Sequence, residues 1–195
     1  MRKITFTLCL LMSSLLFMQC GPSTGSGSAQ SPEALFNSLK SIDRSDMSAL
    51  VPYVAPDDRC LLSFASDFGA SFMTAFSKDK SLKTQYAAIR EKYKLPDNSK
   101  SPVKLNDQAA MLEYAKANYK DVDHAAFIKE VRTIMARIPG MTMKKKSPFK
   151  EMKDLKVEGS TATATAVTED GKTENLGFVQ IDGVWYLSMK DSFMK

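Results

Sequence analysis

The sequence predicts an α+β domain, with helices first and an antiparallel β-meander last. Three observations carry this. Apolar residues recur at helical spacing from residue 32 to about residue 138. After residue 150 the period drops to two. Near the end, two apolar runs flank the Asp182–Gly183 pair, a strong hairpin signal. Helices followed by strands point to helices packed on one sheet face.

Each element follows from its own residues. Ser31 is placed to cap a helix, with Pro32 in its first turn and Glu33 behind it. Leu35, Phe36 and Leu39 then share one side over residues 32–41. "SDMSALVPYV" reads as a short helix or turn stopped by Pro52. Residues 58–77 set Leu61, Phe64, Phe68, Phe72, Ala75 and Phe76 on one stripe, which is expected to face the core. Residues 79–94 carry Leu82, Tyr86, Ile89 and Tyr93. Two prolines in "LPDNSKSPV" break that pattern. The next helix, 107–119, carries Met111, Leu112, Ala115 and Tyr119. Asp123 caps another, bearing Phe127, Val131, Ile134, Met135 and Ile138, and "PG" at 139–140 ends it.

Strands come next. Residues 150–158 place Met152, Leu155 and Val157 in one run. "STATATAV" alternates Thr161, Thr163 and Thr165 with Ala162, Ala164 and Ala166, giving a polar face and a small face against which a helix can lie closely. "EDGK" turns the chain into "TENLGFVQI", and the Asp-Gly loop leads into "VWYLSMK".

Upstream, Arg2 and Lys3 precede an apolar run from Ile4 to Met18, the layout of a secretory signal. That run is short for a spanning helix, which needs roughly 17–25 residues. It ends at Cys20 in a way that resembles the lipobox of bacterial lipoproteins, where a cysteine becomes the diacylated first residue. Phe17 and Gln19 depart from the commonest lipobox residues. The resemblance implies a signal peptide over 1–19, a lipidated Cys20 and a cell-envelope address. With Gly21 rather than Asp next, it implies the outer membrane where the host has two. "GPSTGSGSAQ", 21–30, is a flexible tether, averaging about 17 Å end to end. A single α+β domain is then expected over 31–195, mostly helical over 31–140 and stranded over 150–190.

The net charge of +5 is spread along the chain and gives no nucleic-acid footprint. Of three cysteines, Cys9 belongs to the signal and Cys20 to the lipid, which leaves Cys60 with no intramolecular partner. At a helix start its thiol pKa can be lowered, but a small buried apolar role is favoured. His124 is the single histidine. It is read as a solvated residue in a helix's first turn, because a metal site needs three or four ligands. No phosphate-loop or dinucleotide motif occurs, so no cofactor is expected. "KKK" at 144–146, with Lys150 and Lys153, reads as a solvated loop that could also meet anionic headgroups.

Residues 35–57, "LFNSLKSIDRSDMSALVPYVAPD", and 157–189, ending in "DGVWYLSM", resemble bacterial lipoproteins of the nuclear-transport-factor-2-like superfamily. The resemblance implies a sheet curled around a helix, with a pocket. Its members include ketosteroid isomerases, dehydratases and noncatalytic binding modules, and fold alone does not choose among them. The pocket candidates are Phe68, Phe72, Tyr86, Trp185 and Tyr186, although a Trp so placed is more often a core residue, since alternate strand residues face inward. An isomerase would need a base among Asp43, Asp46 and Asp67 and a donor among Tyr53, Tyr86 and Tyr186. Helix capping accounts for Asp43, and Asp67 is read as exposed, so no catalytic residue is assigned. The expectation is a noncatalytic envelope lipoprotein that binds a small apolar ligand or a protein partner. An isomerase-like enzyme and a structural scaffold are the alternatives.

Overall fold

A computed structural model describes residues 29–96, 107–138 and 146–189. Arg2, Lys3, the apolar run, Cys20 and most of the tether lie outside the described residues, as do Lys144 and Lys145. The architecture is α+β. The helices are α1 (Pro32–Lys40), α2 (Met47–Leu50), α3 (Pro56–Phe76), α4 (Lys80–Lys92), α5 (Gln108–Tyr119) and α6 (His124–Met135). A 3-10 turn, Val51–Tyr53, joins α2 to α3. The strands are β1 (Phe149–Glu158), β2 (Thr161–Thr168), β3 (Thr173–Ile181) and β4 (Val184–Ser188), antiparallel in the order β1-β2-β3-β4.

The helix starts follow local chemistry. Ser31, Asp46, Asp79, Asp107 and Asp123 each accept a backbone N–H of the first turn on a side-chain oxygen. Each cap satisfies a donor that the helix leaves orphaned.

The sheet has one wet and one dry face. Ala162, Ala164 and Ala166 are buried, while Thr161 and Thr163 are exposed. Leu35, Phe36 and Leu39 of α1 are buried in one core with these alanines, and α1 itself meets the sheet at β1 and β4. Phe36 packs on Phe149 at 5.5 Å between ring centroids. Each such side chain contributes about 1.5–3 kcal/mol by burial. In β1, Met152 and Leu155 both pack against the core although three residues apart. A bulge between Lys153 and Lys156, with Asp154 at φ 53, supplies the extra residue. The final loop places Asp182 at φ 50 and Gly183 at φ 79 between the paired Ile181 and Val184. Those left-handed values match the right-handed twist of the strands they join.

The β4 edge is covered. Trp185 N–H donates to the Ala29 carbonyl at 2.8 Å, and Ala55 N–H donates to the Leu187 carbonyl at 3.0 Å. Both contacts occupy groups that would otherwise template aggregation.

The structure corrects one expectation about α3. Phe72 and Phe76 do not face the core: they are 57% and 74% exposed and stack on each other at 4.9 Å. The face that is buried in the second half of α3 carries Asp67, Ala70 and Thr74. Small residues there let neighbouring helices approach, and a polar network fills the seam, so the aromatic stripe turns outward.

Candidate ligand cavity

Two ties hold the N-terminal end of α3 against the end of β4. One is the Ala55–Leu187 hydrogen bond, and the other is Met189 N–H donating to Asp58 Oδ2 at 2.8 Å. Beside this junction the helices and the strand do not close. They leave a cavity of about 470 Å³ that opens to solvent. Its wall is formed by Met47, Leu50, Val54, Leu61, Leu62, Phe64, Ala65, Phe68, Gly69, Met111, Leu187 and Met189, with Arg44 and Lys146 as its only charged members. Ligand cavities span about 300–1,000 Å³ and are mostly apolar with a few placed polar groups. A void of this size also far exceeds ordinary packing defects, which seldom exceed a water molecule.

Gly69 is the floor of the cavity. A Cβ built there meets nothing within 4 Å. A smaller apolar hollow of about 200 Å³, between α3 and α6, shares Met47, Ala65 and Gly69 with it. A polar hollow of about 630 Å³ shares Arg44 and Lys146 with the cavity.

Arg44 is 7% exposed. Its guanidinium lies 3.8 Å over the Phe149 ring, donates to the Ser147 carbonyl at 2.6 Å and pairs with Glu174. It thereby fixes the rim of the cavity to β3 and to the start of β1.

Of the residues singled out from the sequence, Phe68 lines the cavity. Phe72 lies on the solvent face of α3, and Tyr186 lies on the wet face of the sheet, paired with Val179. Trp185 is buried on the dry face among core residues. Tyr86 is buried between α3 and α4. The other wall residues carry little sequence signal. They come from separate elements, and of them Leu61, Phe64 and Met111 belong to the apolar runs read at helical spacing.

Asp67 is not exposed, as the sequence reading had it: its relative exposure is 0%. Tyr86 O–H stands 2.5 Å from Asp67 Oδ1, Tyr119 O–H donates to Oδ2 at 2.8 Å, and Arg90 Nε lies 3.6 Å from Oδ1. Burial, and then the Asp67 charge, push the Tyr86 phenol well above its ordinary value. This cluster unites a candidate base with a candidate donor. It is a seam between helices, however: Asp67 is fully buried, Tyr86 and Arg90 border a separate shallow hollow of about 280 Å³, and none of the cluster's members lines the apolar cavity. The cavity wall itself carries no carboxylate, imidazole or phenol among the described residues.

Asp43 accepts from Ser45 N–H at 2.9 Å in a turn, and Asp46 caps α2 while pairing with Arg132 at 2.9 Å. Burial opposes ionisation of Asp46, but its bonds to Ser48 and the Arg132 charge outweigh that and hold its pKa below the usual value. Tyr53 is half-buried and packs on the main core.

His124 also departs from expectation. It is half-buried, with Nδ1 2.8 Å from Ser63 Oγ, and Ser63 is fully buried. Burial, and then the Arg59 charge, hold its pKa below 6.5. Cys60 is 5% exposed, and burial, reinforced by Asp57, raises its thiol pKa. A raised pKa makes it a packing residue rather than a nucleophile. Among the described residues no three His, Cys, Asp or Glu side chains are placed to hold a metal ion. Nor is any helix among them long and apolar enough to cross a membrane.

No family model, curated protein or solved structure matches the chain.

Proposed function

We propose that this protein is a lipid-anchored envelope protein whose domain binds a small apolar molecule in the cavity between α2, α3, α5 and the end of β4. The observation that carries this reading is the cavity: about 470 Å³, open, and walled almost entirely by aliphatic, aromatic and methionine side chains. Three methionines, Met47, Met111 and Met189, stand in that wall. Their flexible, polarisable side chains adapt to ligands of varied shape. Burying about ten methylenes would contribute on the order of 8 kcal/mol, before the losses of freedom on association are subtracted. Membership of the nuclear-transport-factor-2-like superfamily is part of the proposal. It rests on the two sequence stretches quoted above, and helix α1 laid on an antiparallel meander with a pocket beside it is compatible with that kinship.

Native mass spectrometry of the full chain purified from its own host tests both halves. The expected spectrum shows acyl chains on Cys20 and a noncovalent apolar adduct. The adduct should vanish in Gly69→Leu, which fills the floor where a Cβ meets open space. An adduct unaffected by Gly69→Leu, or none at all, contradicts the cavity reading. A chain without acyl groups contradicts the anchor.

A further inference from the structure

We propose that the cavity ligand is an amphiphile with one aliphatic chain and an anionic head. This deepens the binding reading above and rests on it. Three hollows adjoin in sequence. The apolar cavity shares Met47, Ala65 and Gly69 with the smaller cleft between α3 and α6, and it shares Arg44 and Lys146 with the polar hollow. A chain laid through the first two leaves its head at the boundary with the third.

Charge is asymmetric at that boundary. Both charged residues facing the apolar cavity are cations, whereas Glu169, Asp170 and Glu174 line only the polar hollow. Within that hollow Lys172 pairs with Asp170 at 2.6 Å and Arg44 pairs with Glu174. Lys146 has no ion pair among the described residues and is exposed. A carboxylate or phosphate at the end of an aliphatic chain would meet it directly, with Arg44 behind it. A neutral ligand would offer Lys146 no counter-charge.

The test is competition at the full chain, read by native mass spectrometry. Equal concentrations of palmitate, 1-palmitoyl-lysophosphatidylglycerol and hexadecanol are offered, isotopically labelled to distinguish them from endogenous material. The wild-type chain is expected to prefer at least one anionic competitor over hexadecanol by about fivefold, the factor an exposed ion pair supports. Which anion leads identifies a free fatty acid or a lysophospholipid as the source. Lys146→Ala should remove the preference while hexadecanol binding persists. Glu174→Gln releases the Arg44 charge and should increase it. Equal binding of all three, or a preference indifferent to both substitutions, overturns the head-group assignment and leaves the apolar site standing. Failure of all three to bind overturns the apolar site as well.

Discussion

Removing the Asp67 carboxylate would leave two phenols and a guanidinium facing one another in the seam between helices. The carboxylate is fully buried and is held by Tyr86, Tyr119 and Arg90. Breaking a buried, hydrogen-bonded charge cluster by removing one member costs about 3–5 kcal/mol. Asp67→Ala should therefore destabilise by about 3 kcal/mol or more in urea unfolding, against about 1.5–3 kcal/mol for Tyr86→Phe, which removes the bond to the carboxylate together with the hydroxyl's contacts to the Asp67 carbonyl and Ser71 Oγ. A double-mutant cycle should show Tyr86 and Asp67 strongly coupled, and additive losses would refute the network. Two titrations follow from the same scale. Tyr86 ionises above its free value of 10.0 in the fold, so the unfolded chain loses that proton first, and stability should fall as pH rises beyond about 10. His124 behaves oppositely: its folded pKa lies below 6.5, so the unfolded chain takes up the proton first, and stability should drop as pH falls through 6.5. In His124→Asn the pH 5.5–7 part of that slope should flatten, as thermal melts across about that range would register. Neither group's environment was legible in the sequence. Asp67 lies beside Phe68 and reads as exposed, and His124 meets Ser63 only through the packing of α6 on α3.

Helices and turns were more legible than side-chain environments, because their signals are local. The caps Ser31 and Asp123 and the turn Asp182–Gly183 act within a few residues of themselves, and the structure places each where its chemistry predicts. Asp123→Ala should cost about 1 kcal/mol, measurable as a lowered urea midpoint. The α3 stripe was misread because periodicity shows which residues share a face but not which face meets the core. Ala70 and Thr74 won that place by being small, and Phe72 and Phe76 were left outside. The bulge at Asp154 has a sequence trace in hindsight: Met152, Leu155 and Val157 step by three and then two, and only an extra residue keeps all three on one side. Gly69 offers a test of α3 itself. With open space around its Cβ position, Gly69→Ala should raise stability by about 0.5–1 kcal/mol through helix propensity alone. A loss of stability would mean that the cavity floor is more crowded than described.

At the scale of the whole molecule, two features combine: an apolar cavity at the meeting of helices and sheet, and a first described residue, Ala29, that bridges to Trp185 of β4. The α+β arrangement was readable from the change of period. The cavity was not, because a void arises from what distant elements fail to fill, and no run of residues encodes it. Its fourteen wall residues are drawn from sequence positions 44 to 189. On the proposed anchoring, Cys20→Ala should abolish fatty-acid labelling and move the protein from the membrane to the soluble fraction of cell extracts. Retained labelling would refute it. The claim on which the account turns is that the cavity holds an apolar molecule, and methionine-methyl NMR reads it most directly. In the full chain held in lipid nanodiscs, hexadecanol should shift the methyl signals of Met47, Met111 and Met189. Those of Met73 and Met152, which line neither the cavity nor the adjoining cleft, should stay in place. Unmoved signals at the three wall methionines, or shifts confined to the others, would contradict it.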